Sequence, residues 1–381
     1  MFVALTNTPR DYSWGSYTDI AALLHRQPSG RPEAEYWLGT HPGSPALLVG
    51  GPDGTPERAT TLAQLTTLPF IMKVLAAETS LSLQAHPSSE QAREGFAREN
   101  AEGIPVDSPD RNYKDALHKP ELIYALEQEF EALCGFRPVA QTRALLAELG
   151  PDPMVVDFTR RLVDDSSLRD VFEWLISNGP GVAELRTRVL ELAASASAPE
   201  FATVLTLSRE FPGDVGILIS LLLNLVTLRP GQAIYLPSGN IHAYQHGLGI
   251  EVLAASDNVL RGGLTPKHVD VPELLKVLDF RPLPVPFLTP TEPVLGLTLF
   301  RPPVPDFELA VAQPADAADG SVAWTPGGEF IALCVGGPAT ISGARDEWQL
   351  NPGDAVYGTG DEAPITIGGS GTVFILSLIH I

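Results

Sequence analysis

Pro230-Gly231-Gln232-Ala233-Ile234-Tyr235 and Pro352-Gly353-Asp354-Ala355-Val356-Tyr357 read alike: a Pro-Gly turn opening a short β-strand. Upstream of each stands a second matching pair, Glu129-Phe130-Glu131-Ala132-Leu133-Cys134 and Glu329-Phe330-Ile331-Ala332-Leu333-Cys334, identical at five of six positions. Cys134 and Tyr235 lie 101 positions apart and Cys334 and Tyr357 only 23 apart, an excess of 78 residues. Two related β-domains, the first split by an insertion, account for this arrangement. Seven positions after Tyr235 comes His242, and seven after Tyr357 comes Pro364. The reading therefore expects one domain with a potential metal ligand, and a second, structural domain with Pro364 near the equivalent place.

The texture of the chain agrees with an insertion. Residues 1–87 are rich in Gly, Pro and Thr, with strand-like runs at Pro45–Val49, Phe70–Ala76 and Ser80–His86. From about Gln141 to Leu228 the period becomes helical, as in Val156–Val163 and Val182–Ala194. Short strands and Gly/Pro turns return after Arg229. The apolar run Gly216–Leu228 is interrupted by Ser220, Asn224 and Thr227 and is too short for a bilayer, which needs about 20 residues. It reads as a buried helix. The expected architecture is mainly β with a helical insertion: residues 1–140 and 229–285 form one β-domain, 141–228 the insertion, and 286–381 a carboxy-terminal β-domain without metal.

Among 381 residues, 44% are hydrophobic and 19% charged, enough for a core and unlike a disordered chain. A formal charge of −21 argues against nucleic acid and anionic membranes as partners. An anionic substrate would need a local nest of cations. Two cysteines, Cys134 and Cys334, suit a reducing compartment. Met1–Leu5 lacks the basic and apolar segments of a secretory signal, so a soluble, cytoplasmic protein is expected. The oligomeric state is not legible.

Gln84 and His86 stand two apart in a strand-like run, which sends both side chains to one face. Glu121 heads the run Leu122–Leu126, and His242 follows the strand opened by Pro230-Gly231. An amide oxygen, two imidazoles and a carboxylate form a set that suits Zn²⁺ with room for substrate. A Gln-x-His pair or a strand-heading Glu is equally a solvated surface pattern, and spacing does not join the four. Ser256–Lys267 is polar and glycine-rich and carries Arg261 and Lys267, a fork and a point charge suited to phosphate. Taken alone it is also a charged surface loop.

Together these segments resemble the type I mannose-6-phosphate isomerase family, of cupin fold with jelly-roll β-domains. The resemblance runs through Tyr12–Gly15, Ala34–Pro42, Leu68–Leu75, Leu81–Pro87, Tyr113–Asp115, His118–Glu121, Ala132–Pro138, Ile241–Tyr244 and Ala254–Lys267. It covers roughly residues 10–280. It implies one zinc ion held by Gln84, His86, Glu121 and His242, and it points to Arg261 as the catalytic arginine. Lys119, Glu251 and Lys267 are further pocket candidates, with Lys119 and Lys267 expected to bind substrate. The implied activity is interconversion of mannose 6-phosphate and fructose 6-phosphate through a cis-enediol. Glu251 is the first candidate for the base, and a metal-bound hydroxide is the other. The alternatives are a non-catalytic cupin that binds a sugar phosphate and an iron dioxygenase, which would prefer a mostly histidine site. Departures from the family pattern fall at Leu117, at Ser238–Ile241 and at Gln245–Ile250; they bear on specificity.

Overall fold

The structure is a computed structural model that describes residues 1–49 and 60–379. Residues 50–59 of the expected first domain, and 380 and 381 at the end of the expected carboxy-terminal one, lie outside the described residues. Among those described, no helix is long and apolar enough to cross a membrane.

The first β-domain is built around one long strand, His242–Ala254. Its second half pairs with Phe70–Ala77 and Glu121–Ala125, which extend the layer to Glu35–Gly39 and Ala233–Leu236. Its first half pairs with Gln84–Ala85 and Phe130–Phe136, which carry Leu260–Arg261 and Leu223–Leu228 at the edges of a second layer. One strand shared between two antiparallel layers closes the sandwich of a cupin jelly roll. The strand Phe70–Ala77 shows why its sequence is almost wholly apolar. Phe70, Met72, Val74 and Ala76 pack into the core shared with the carboxy-terminal domain, while Ile71, Lys73 and Leu75 line a cavity inside the first domain. A strand buried on both faces loses its polar alternation.

The carboxy-terminal β-domain repeats the plan. One sheet runs in the order Thr291–Val294, Leu297–Phe300, Glu308–Ala312, Thr372–Ser377, Phe330–Val335 and Ala355–Gly358, and the amino-terminal strand Phe2–Thr6 adds to its edge. The other is Ser321–Trp324, Ile365–Gly369, Ala339–Ser342 and Glu347–Leu350. Tyr36, Leu38, Ile250 and Val252 of the first domain share a core with Leu309, Ile331, Leu333 and Phe374 of the second, so the two domains meet sheet to sheet.

Between strands of the first domain, residues 139–222 form helices, among them Pro153–Arg161, Leu168–Ile176, Val182–Ala193 and Pro199–Glu210, around one apolar core. Two expectations need correction. The run Gly216–Leu228 is not one buried helix: Gly216–Ile219 is helical, Ser220–Leu222 is a 3-10 turn, and Leu223–Leu228 is a strand paired with Phe130–Phe136. A short, fully buried apolar run has no periodicity to separate the two states. In Ser80–His86 only Gln84–Ala85 is regular strand; the Leu81 and Leu83 amides donate to the Tyr244 and Gly263 carbonyls outside a ladder.

The repeat is half right. Leu122 pairs with Tyr235, and Ile331 pairs with Tyr357, so the Pro-Gly strands occupy equivalent places. The partner of the first is Glu121–Ala125, however, and not Phe130–Phe136, which lies in the other layer. The match between Glu129–Cys134 and Glu329–Cys334 therefore joins strands from different layers.

Candidate metal centre and substrate cleft

His86, Glu121 and His242 arrive from three separate elements and converge, their ligand atoms all within 4.8 Å of one another. His242 opens the long strand directly opposite Gln84. Glu121 opens its own strand opposite Leu253. His86 follows Gln84–Ala85. All three are buried, and the imidazole rings lie 5.1 Å apart.

Hydrogen bonding decides what these groups present. His86 Nδ1 lies 2.8 Å from the Asn258 carbonyl oxygen, and His242 Nδ1 lies 3.1 Å from the Asn240 carbonyl oxygen. A carbonyl accepts only, so each Nδ1 carries the proton and each Nε2 presents a lone pair. Both Nε2 atoms then face Glu121 Oε2 at 3.2 Å. These would be ion pairs only with protonated imidazoles, yet burial pushes His86 down to about 4. Burial also pushes the Glu121 carboxyl up, but His86, Lys119 and His242 outweigh it and hold it well below the usual carboxylate range. Among the described residues, His86 Nε2, Glu121 Oε2 and His242 Nε2 are buried without a hydrogen-bond partner. Three acceptors buried face to face repel one another unless a cation sits among them. The donor set, two nitrogens and a carboxylate, fits zinc.

The block Ser256–Lys267 does not stand alone. The Asn258 side chain accepts from the Lys114 and Asp115 amides at 2.7 and 3.2 Å and donates to the Asp115 and Leu117 carbonyls at 2.9 and 2.8 Å. The same residue thereby holds the loop leading to Lys119 and Glu121 and fixes the His86 ring. Such outer contacts orient ligands.

Beside the cluster opens a cavity of about 650 Å³ lined by Gln84, Lys119, Glu121, Glu251, Arg261 and Lys267 among others. Every residue proposed from sequence as a metal ligand, catalytic group or substrate contact thus lies at the cluster or in this one cleft. Gln84 also pairs across strands with Arg261. Lys119 Nζ is 3.2 Å from Glu121 Oε1. Arg261 is half-buried, which lowers its guanidinium, and Lys267 at the rim is lowered by burial and by Arg261. Among the described residues neither side-chain cation has an ion pair or hydrogen bond, so both are available to an anion.

Glu251 lines the cleft as a buried group paired with a lysine. Trp37, Lys73 and Glu251 stand side by side across three strands. Lys73 Nζ lies 2.9 Å from Glu251 Oε2, 3.6 Å from Glu35 Oε1 and 4.6 Å above the Trp37 ring. Burial raises the Glu251 carboxyl and Lys73 only partly offsets this. Burial lowers the Lys73 ammonium, but Glu251 and Glu35 reverse that and leave it raised. Lys73, Glu35, Trp37 and Tyr244 were not singled out by sequence. Lys73 carried a usable signal, since a charge in the apolar run Phe70–Ala77 requires a buried partner. Glu210 and Phe211 also reach the cleft from the insertion, and nothing in the sequence marks them.

A family model, "Phosphomannose isomerase type I, catalytic domain", matches residues 2–139. The mannose-6-phosphate isomerase of Escherichia coli strain K12 is 36% identical over 388 residues, spanning 96% of this chain and 97% of that protein. The mannose-6-phosphate isomerase of Bos taurus is 33% identical over 347 residues, 79% of each chain. In three dimensions, the crystal structure of mannose 6-phosphate isomerase from Salmonella typhimurium, bound to its substrate and to zinc, superposes with a TM-score of 0.89 at 31% identity, covering 99% of both chains.

Proposed function

From the premise that this chain belongs to the type I phosphomannose isomerase family, we propose that it is a zinc-dependent aldose–ketose isomerase interconverting mannose 6-phosphate and fructose 6-phosphate. The observation that carries the reading is the set of three stranded acceptors, His86 Nε2, Glu121 Oε2 and His242 Nε2, at the floor of a cleft holding unpaired cations. Gln84 supplies a fourth donor from the neighbouring strand. Bound zinc would polarise the carbonyl and the adjacent hydroxyl of the open-chain sugar.

The remaining work falls to side chains. Glu251 takes the proton from C2 of the aldose, and the C1 oxygen gathers the negative charge of a cis-enediolate; the hydroxyl proton then passes from the C2 oxygen to the C1 oxygen, and the proton held on Glu251 returns to C1 to give the ketose. A buried carboxylate with a raised affinity for protons is suited to accept and then release one. Arg261 donates to the developing oxyanion in a water-poor cleft. Lys119, beside Glu121, donates to a sugar oxygen, and Lys267 at the rim takes the phosphate. The catalytic domain in this reading comprises residues 1–140 and 229–285 with Leu223–Leu228 added, and 286–381 is the partner domain, joined at its sheet edge by Phe2–Thr6.

Metal analysis of pure protein, with a coupled assay for fructose 6-phosphate before and after chelation, tests this. Stoichiometric zinc and turnover that chelation abolishes and zinc restores are expected. Full turnover by metal-free protein would overturn the reading.

A further inference from the structure

The insertion leaves its last long helix, Pro199–Glu210, and returns to the β-domain through a turn at residues 211–215. Two carboxylates in this passage accept from backbone amides of residues that line the cleft. The Ser80 amide donates to Glu210 Oε2 at 3.1 Å. The Leu264 amide donates to Asp214 Oδ1 at 2.9 Å and the Thr265 amide to Asp214 Oδ2 at 3.2 Å, while the Gly216 amide also donates to Asp214 Oδ1, at 2.6 Å. Asp214 itself does not line the cleft, but Arg261, Leu264, Thr265, Pro266 and Lys267 do.

The turn that Asp214 grips is one the chain would not hold unaided. Leu264 has φ +53°, a left-handed conformation that leucine rarely adopts. Gly263 has φ +117°, and a Cβ there would meet Asp214 Oδ1 at 3.1 Å and Gly216 N at 3.2 Å. The Leu264 side chain is buried in the core of the helical insertion. One carboxylate thus ties two successive amides of the turn to the helical subdomain, and the turn carries Lys267 three residues beyond Leu264.

We propose that Asp214 is a positioning residue for substrate, through which the helical insertion sets the anion-binding geometry of the turn at residues 261–267. This rests on the reading of Lys267 as the phosphate contact. Asp214 touches no reacting atom; its effect passes through the Leu264 and Thr265 amides.

The test uses the full-length zinc-loaded enzyme. Asp214→Ala should raise KM for mannose 6-phosphate and the inhibition constant for inorganic phosphate together, by about tenfold, as expected for losing hydrogen bonds to a charged group. Its kcat should change by less than about twofold. Asp214→Asn keeps one acceptor oxygen and should show a smaller rise in the same two constants. It also carries the test should the alanine variant not fold. In a Lys267→Ala background, Asp214→Ala should add almost nothing to the phosphate constant, because both act through one contact. Unchanged KM and phosphate constants in folded variants would overturn the proposal, as would a fall in kcat with phosphate binding intact or full additivity with Lys267→Ala. Calorimetric titration of inorganic phosphate into each variant separates the two readings. Wild-type protein without turnover of mannose 6-phosphate sinks the enzymatic one, whereas phosphate binding that ignores Asp214 sinks this one.

Discussion

Replacing Lys73 by methionine removes the ammonium that lies between Glu251 and Glu35 while keeping much of the side-chain volume over Trp37. Lys73 and Glu251 are both buried, so solvent screens their contact weakly. Breaking a buried pair from one side costs about 3–5 kcal/mol, because a carboxylate is left without a counter-charge. The pH dependence follows from the directions of the two shifts. Glu251 is raised by burial, so its contribution is complete below the unfolded value of about 4.3 and is lost as pH rises through its folded value. Lys73 is raised too, so its contribution is complete below about 10.4 and stays constant between pH 5.5 and 8. Without the ammonium, Glu251 rises further, and its downward slope extends to higher pH. The destabilisation by Lys73→Met should therefore be larger at pH 8 than at pH 5.5, growing by up to about 1.4 kcal/mol per pH unit. Urea denaturation followed by tryptophan fluorescence at the two pH values measures this. If Glu251 is the base, the acidic limb of the pH–rate profile should also move to higher pH. A loss below about 1 kcal/mol, the range of exposed pairs, or one equal at both pH values would refute the argument.

His242→Ala should lower zinc content and turnover in step; full zinc with full turnover would contradict its assignment as a ligand. Gln84→Ala should do the same more mildly, a neutral amide oxygen bringing no charge to the site. Arg261→Lys keeps the charge but loses the planar fork, so kcat should fall by about 10²-fold with KM little changed; a wild-type kcat would exclude the catalytic role. Lys267→Ala should act mainly on KM, and the difference from wild type should shrink in high salt, where screening weakens a rim charge.

How much of this was legible depends on the range over which a residue's constraint acts. Glu121 and Lys119 are neighbours in sequence and in the cleft, and Gln84 and His86 keep their two-residue spacing in the fold. The union of His86, Glu121 and His242 is created by strand register, which no single segment encodes. The misleading match is instructive for the same reason. Glu129–Cys134 and Glu329–Cys334 match at five of six positions because each runs into a strand with largely buried side chains, and such a match states burial but not neighbours. The Pro-Gly turn is better evidence, since its geometry fixes where the following strand starts. Asp214 was invisible because its partners in the cleft turn are amides 50 and 51 residues away, and an amide has no residue type.

The pairing registers also set different residues at equivalent places of the two β-domains. Glu121 pairs with Leu236, and Phe330 occupies the equivalent place opposite Gly358. His242 pairs with Gln84, and Ile365 pairs with Trp324 at the matching crossing. Pro364, expected near the place of His242, directly precedes Ile365. Phe330, Ile365 and Trp324 belong to one apolar core inside the carboxy-terminal domain. Where that domain packs a phenylalanine and an isoleucine, each worth about 1.5–3 kcal/mol on burial, the first domain places a carboxylate and an imidazole whose acceptor atoms face one another. The first domain thus forgoes burial energy at the very positions that form its candidate centre, and a bound cation is the term that restores the balance, since metal binding is linked to folding. The sheet-to-sheet contact then gains a mechanical meaning. A domain with an apolar interior backs the strands Phe70–Ala77 and His242–Ala254 from the face opposite the cleft, and holds Lys73 and Glu251 on a rigid surface while the interior beside them stays polar.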